Sequence, residues 1–382
     1  MSYYAAMTPD ERHRYFDQAT RVVVKAGSNI LTGENGLNLT VVRSISKEIC
    51  QLMERGLEVL FVSSGAMACG TKKMDMKQRP AELPQRQAVA AVGQAGLILA
   101  YEKAFAKHGR QVAQILLTGD DLSSRKRYLN ARNTLYTLLS WKVVPVINEN
   151  DTVAVEEIKF GDNDNLAAMI ALLMDAHLLI NLTDIDGLFD KDPRSHADAK
   201  RVETVTAVTR SLEQAAGRMP GALGTGGMMS KIQAAKKATC SGVPVVIANG
   251  RRKNILTDLF AGKPVGTFFL PTEQKLCSRK RWIAYSLKTR GTLTVDEGAA
   301  GAIVHKGKSL LPGGITSVSG DFSHGAPVDI LSASGEHLGI GLVNYSAAEI
   351  RAIKGLKTGL IEKTLGAKPY DEVVHRNNLV LV

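Results

Sequence analysis

Val22-Val23-Val24-Lys25-Ala26-Gly27-Ser28 decides the fold: a short β-branched run meets a lysine, and a glycine-serine turn follows. An uninterrupted apolar run of this length fits a strand buried on both faces. The same unit recurs outward along the chain. Helices are predicted over 41–55, 87–107, 130–141 and 166–175, and strands at 59–62, 112–117, 143–147, 178–182 and 245–247. Strands and helices in this alternation predict an α/β chain, a three-layer sandwich with a mainly parallel central sheet. Ligands of such sheets sit beyond the carboxyl ends of the strands, so the loops at those ends carry the chemistry.

The flanks differ in character. Residues 1–20 read as an N-terminal extension, in which Thr8-Pro9-Asp10-Glu11 offers an N-cap, a proline at the first helical position and a glutamate at the third. The alternation of 21–272 stops at a polar, basic linker over 273–290. Beyond it, 291–370 carries short runs such as Ala302-Ile303-Val304, Val328-Asp329-Ile330-Leu331 and Leu342-Val343 between glycine-rich and Asp turns. These predict a small β-rich domain, with a tail at 371–382.

With 382 residues, 45% of them hydrophobic, the chain has room for two or three domains and a full core. Its apolar runs fall well short of the roughly 20 residues needed to cross a bilayer. The first twenty residues are charged and lack an apolar h-region, so a cytoplasmic location with no membrane partner is expected. Cys50, Cys69, Cys240 and Cys277 lie far apart without a CxxC pair, as inert thiols of a reducing compartment do. They suit neither a disulfide framework nor a zinc site. The net charge of +11 fits a polyanion partner, ATP handling or simple solubility. Positive charge is denser towards the end, where the last 108 residues hold 14 Lys and Arg against 9 Asp and Glu.

Four loops at predicted strand ends are small, polar or charged. Lys25-Ala26-Gly27-Ser28 places an ammonium group beside a glycine, where it can neutralise a phosphoryl group; the plain alternative is a solvated lysine. Ser63-Ser64-Gly65-Ala66 brings hydroxyls to the same crevice and is weak evidence alone. Asn148-Glu149-Asn150-Asp151 and Gly161-Asp162-Asn163-Asp164-Asn165 crowd carboxylates and amides, which is costly unless they meet cations or a polar substrate. Thr183-Asp184, after the predicted strand at 178–182, is the fourth such loop. A glycine-rich loop, Gly221-Ala222-Leu223-Gly224-Thr225-Gly226-Gly227-Met228-Met229-Ser230-Lys231, runs into a predicted helix over 231–238 and can bring bare N–H groups against phosphate. Its spacing is neither GxxxxGK[ST] nor GxGxxG, since Met229 stands where the third glycine would fall. A nucleotide is the expected ligand.

In their order along the chain, these motifs resemble the amino acid kinase family over most of 21–272. The likeness also rests on Val92-Gly93-Gln94, Leu129-Asn130-Ala131-Arg132 and Asp192-Pro193-Arg194. Ala26 stands where the family usually has Leu, and Met229 and Ser230 where it more often has a small polar residue and Thr. None of these changes removes a charged group. Ser309-Leu310-Leu311-Pro312-Gly313-Gly314-Ile315 and Val318-Ser319-Gly320-Asp321-Phe322 are similar to a PUA domain.

The resemblance implies ATP-dependent phosphorylation of a carboxylate. Within it, Asn148-Glu149-Asn150-Asp151 together with the Gly161–Leu166 stretch points to the side chain of L-glutamate rather than to aspartate, carbamate or a nucleoside monophosphate. It assigns Lys25 and Lys231 to the phosphoryl charge, helped by the N–H groups of Gly27 and Gly65, and Asp164 to holding the two lysines. Ser64, Asp151 and Asn163 become the glutamate-binding positions, and Lys25, Thr183, Asp184, Thr225, Gly226, Gly227, Met228, Met229, Ser230 and Lys231 the ATP-binding ones. Mg2+ rides on phosphate oxygens and water, with no protein metal ligands. Proline as feedback inhibitor and a homo-oligomer, dimer or tetramer, are further implications. RNA binding by the PUA-like module ranks behind a regulatory or assembly role.

Overall fold

The computed structural model describes residues 8–33, 36–78, 80–154, 163–191, 193, 195–210, 212–213, 227–272 and 289–381. The chain divides into two compact units, Met1–Lys275 and Leu276–Val382. The strands of the first are β1 (Arg21–Ala26), β2 (Thr32–Gly33), β3 (Gly36–Leu37), β4 (Glu58–Ser63), β5 (Val112–Leu117), β6 (Val144–Glu149), β7 (Leu178–Thr183), β8 (Thr204–Val205), β9 (Val245–Asn249) and β10 (Thr267–Phe269). Its helices include α1 (Pro9–Asp17), α2 (Ser28–Leu31), α3 (Leu39–Glu54), α4 (Ala66–Lys73), α5 (Leu83–Ala106), α6 (Gly119–Ser123), α7 (Arg125–Ser140), α8 (Asn163–Leu173), α9 (Met228–Thr239) and α10 (Ile255–Phe260).

Hairpin strands β2 and β3 pair with each other, and the remaining eight form one sheet in the order β5-β6-β4-β1-β7-β9-β10-β8. Every neighbouring pair is parallel except β9 with β10. The sandwich with a mainly parallel sheet is therefore what the chain builds. At two and three residues, β8 and β10 are too short for their residue pattern to announce them.

Strand parity sorts the side chains between two layers. Val22, Val24, Ala26, Val59, Phe61 and Ile180 share one core with Phe16 of α1, Ile45 and Ile49 of α3, Leu97 and Tyr101 of α5, and Leu256 of α10. The alternate positions, such as Val23, Leu60 and Leu179, are equally buried and face the other layer, where α8 packs on β1, β4, β6 and β7 and against α9. Lys25 has the parity of Val23, so it points towards α8. Burying apolar surface on both faces is what gives such a sheet its stability.

Helix α1 has the expected start: Thr8 and Glu11 form a reciprocal capping box, and Pro9 is the first helical residue. The helix is fastened to the first unit's core. Arg12 is buried, donates to the carbonyl of Val265 at 2.5 Å and lies over the rings of Phe16 and Phe268, and burial pulls its guanidinium down to about 10. Between β4 and α4, Gly65 adopts φ +110°, a left-handed turn that suits glycine alone. Helices α4 and α5 then cross so closely that a Cβ on Gly93 would overlap the carbonyl oxygen of Ala66.

In the second unit, β11 (Gly291–Val295), β12 (Ile315–Gly320), β13 (Pro327–Leu331), β14 (His337–Val343) and β15 (Val374–Leu381) form a five-stranded sheet in the order β12-β11-β13-β14-β15. Its core gathers Leu293, Val295, Ile303, Val328, Ile330, Tyr345 and Ile350. One expectation fails here. Ala302-Ile303-Val304 is not a strand but part of helix α11 (Glu297–Lys306), which Asp296 caps through the N–H of Ala299 and Gly307 ends at φ +56°. The β-branched pair at 303 and 304 suggests a strand locally, yet both ends carry helix caps.

Candidate active site

The carboxyl ends of β1, β4, β6 and β7 converge on the first turn of α8. Asp164 there is fully buried, and its carboxylate accepts from at least four donors among the described residues. Lys25 and the amide of Asn181, which donates at 2.7 Å, share Oδ1. Lys231, at 3.1 Å, and the hydroxyl of Ser230, at 2.8 Å, share Oδ2. Both lysines are themselves buried, and the three charged groups together carry +1. Two ammonium groups do not stay this close in a dry site without the carboxylate between them, so Asp164 sets their spacing.

One residue earlier, Asn163 serves a second cluster. Its amide nitrogen faces Ser64 Oγ at 2.8 Å and Asn148 Oδ1 at 2.9 Å, while its Oδ1 is buried and accepts no hydrogen bond among the described residues. Asn148 Oδ1 also accepts from the N–H of Glu149. Behind Ser64, the Ser63 hydroxyl meets that of Tyr101 at 2.7 Å, and burial pushes the Tyr101 phenol upward. Successive residues of one helix turn thus link a hydroxyl-amide pocket to a pair of cations.

Thr183, Asp184 and Met228 to Lys231 also lie at this sheet end. Thr183 donates to Asp184 at 3.0 Å, and Asn29 of α2 donates to the other Asp184 oxygen at 3.2 Å. Asp151 is half-buried in the turn after β6. Thr225 and Gly226 lie outside the described residues, as do Gly161, Asp162, Asp192 and Arg194. Helix α9 begins at Met228, three residues before the predicted start, with Gly227 as an N-cap that offers no side chain. Met228, Met229, Ser230 and Lys231 therefore form a first helical turn rather than a loop, and such a turn presents N–H groups to an anion.

The role expected for Gly27 changes as well. Its N–H donates to the carbonyl of Leu182 at 3.2 Å and is engaged within the sheet, tying the turn after β1 to β7. Sequence reasoning left Asn181 and Tyr101 out of the site. For Asn181 a signal existed: it is a polar residue inside the apolar run Leu178-Leu179-Ile180-Asn181-Leu182. Nothing in the sequence singles out Tyr101 within its helix.

No group of three or more His, Cys, Asp or Glu forms a metal cage among the described residues. With four donors on Asp164, its oxygens suit cations of the protein rather than a metal ion. A hard divalent cation fits this site when most of its ligands are phosphate oxygens and water. Among the described residues, no helix is long and apolar enough to cross a membrane.

Residues 20–249 match the amino acid kinase family and residues 291–365 the PUA domain. The chain is 49% identical to a glutamate 5-kinase of Syntrophus aciditrophicus, over 98% of this chain and 97% of that one. It is 53% identical to a glutamate 5-kinase of Caldanaerobacter subterraneus, over 95% and 98%. Among solved structures, a UMP kinase from Bacillus anthracis is similar over 66% of this chain and 96% of its own, at 15% identity and a TM-score of 0.46.

Proposed function

The chain belongs to the amino acid kinase family, and from that premise we propose that it phosphorylates L-glutamate: the γ-phosphoryl group of ATP passes to the side-chain carboxylate. The product is γ-glutamyl phosphate, and the reaction opens proline biosynthesis. A carboxylate oxygen bonds to the γ-phosphorus as the bridging bond to the β-phosphate breaks, and that bond's electrons leave on ADP. The obstacle is repulsion between two anions, with negative charge spreading over the equatorial oxygens in the transition state.

Lys25 and Lys231 meet that charge, and Asp164 holds them at the spacing it needs. The single observation that supports this reading best is the adjacency of Asn163 and Asp164, which joins the Ser64 and Asn148 pocket to both lysines within one helix turn. Ser64 and Asn163 bind the glutamate, and the carboxylate of Asp151 suits its α-ammonium group. Asn163 Oδ1, buried and lacking a donor among the described residues, suits the same group. Thr183, Asp184 and residues 225–231 hold the nucleotide, with the first turn of α9 presenting N–H groups to its phosphates.

Mg2+ bound to the phosphates of ATP supplies further positive charge and orients them. Since the attacking carboxylate is already ionised, no general base is needed. The chemistry is assigned to 21–272, and 291–370 to regulation or assembly. Inhibition by proline, a dimeric or tetrameric state and a cytoplasmic location belong to the same reading.

A coupled assay with ATP and magnesium, trapping the acyl phosphate with hydroxylamine, tests it. Hydroxamate should form with glutamate and not with aspartate or N-acetylglutamate. Turnover that prefers either of the latter would overturn the choice of substrate.

A further inference from the structure

We infer that Asn181 is a positioning residue that fixes the plane of the Asp164 carboxylate and, through it, the two ammonium groups; this rests on the kinase reading above. Asn181 stands in the middle of β7 at the register position of Lys25 on β1, and has the parity that faces α8. It is 2% exposed. Its amide nitrogen donates to Asp164 Oδ1 at 2.7 Å, and its own Oδ1 is buried without a partner among the described residues.

A leucine of similar volume would suit this strand and bury no polar group. An amide half satisfied in a dry interior is destabilising, so packing does not account for it. Its effect on Asp164 does. Of the donors described on that carboxylate, the two ammonium groups are the ones the transferring phosphoryl group draws on during reaction. Asn181 and Ser230 are neutral, come from β7 and α9, and hold different oxygens. With both in place the carboxylate cannot rotate as its charged partners engage the substrate, so the lysines keep one geometry through the transition state.

Steady-state kinetics of the full chain with glutamate and ATP test this. Asn181→Leu should lower kcat by about tenfold or more, with the KM for both substrates within about threefold, because the loss falls on the transition state. Asn181→Asp supplies a second variant that tolerates the polar position. Its introduced carboxyl would face Lys25 from β1 and Asp164 from α8, with Lys231 of α9 on the other oxygen of Asp164, and must carry a proton to donate to Asp164. Turnover of this variant should stay below the parent's at neutral pH and recover towards it as the pH is lowered.

A kcat for Asn181→Leu within about threefold of the parent's would overturn the inference, and so would a parental pH profile for Asn181→Asp. Should Asn181→Leu fail to fold, the profile of Asn181→Asp decides. Glutamate turnover by the unaltered chain is the separate control: its absence sinks the kinase reading, whereas unimpaired Asn181 variants sink this inference alone.

Discussion

Lys25 and Lys231 donate to opposite oxygens of a single carboxylate, that of Asp164. One lysine lies near the end of the first strand and the other in the first turn of α9, with most of the first unit's chain between them. The sheet brings the first into place and the packing of α9 on α8 the second. Because one anion spaces both cations, each of the three residues has a distinct and measurable effect.

Lys231→Ala should reduce kcat by at least about 100-fold, the roughly 2.7–4 kcal/mol associated with one preorganised transition-state donor. Steady-state turnover measures it. A rate within about tenfold of the parent's would place Lys231 outside the reacting site.

Asp164→Asn keeps the shape and removes the charge, leaving two buried ammonium groups facing each other. Loss of the anion from a buried ion pair typically costs about 3–5 kcal/mol. Urea unfolding should show a drop of that order together with lost turnover. Undiminished stability would mean that the lysines do not depend on Asp164.

At Gly93 the consequence is steric. Alanine there would force α5 away from the Ala66 carbonyl, and overpacking of this kind costs about 1–3 kcal/mol. Helix α4 follows directly on the Ser64-Gly65 turn, so the melting temperature should fall and the KM for glutamate should rise. An unchanged melting temperature would contradict the close crossing.

Lys237 gives a pH dependence. It donates to Asn165 at 2.6 Å, and burial pulls its ammonium from 10.5 down to about 8. Below about pH 8 the group is charged in the folded and the unfolded chain, and folding bears the full cost of desolvating it. Between about 8 and 10.5 the folded chain has released the proton that the unfolded chain still binds, so this group's contribution to stability rises with pH across that window. In Lys237→Gln the rise should vanish. Urea unfolding of parent and variant at pH 7.5 and pH 10 should show the parent gaining on the variant, and a constant difference would refute the assignment.

The short β-branched runs and their turns determined, without any coordinates, that the chain forms a mainly parallel sheet and that polar and charged groups gather at one of its ends. Hydrophobic periodicity and turn chemistry are local, so Val22 to Val24 and the capping box at Thr8 could be read where they stand. Ala302-Ile303-Val304 misled for the same reason: a β-branched pair favours a strand, and the caps at Asp296 and Gly307 outweighed it.

Tertiary structure alone decided which polar groups meet. Strand register set Lys25 beside Asn181, helix packing carried Lys231 and Ser230 to the opposite oxygen of Asp164, and the α4–α5 layer put Tyr101 behind Ser63. It also engaged the Gly27 N–H within the sheet and extended α9 back to Met228. Distances between residues far apart in the chain follow from how layers stack, and no window of neighbouring residues encodes that.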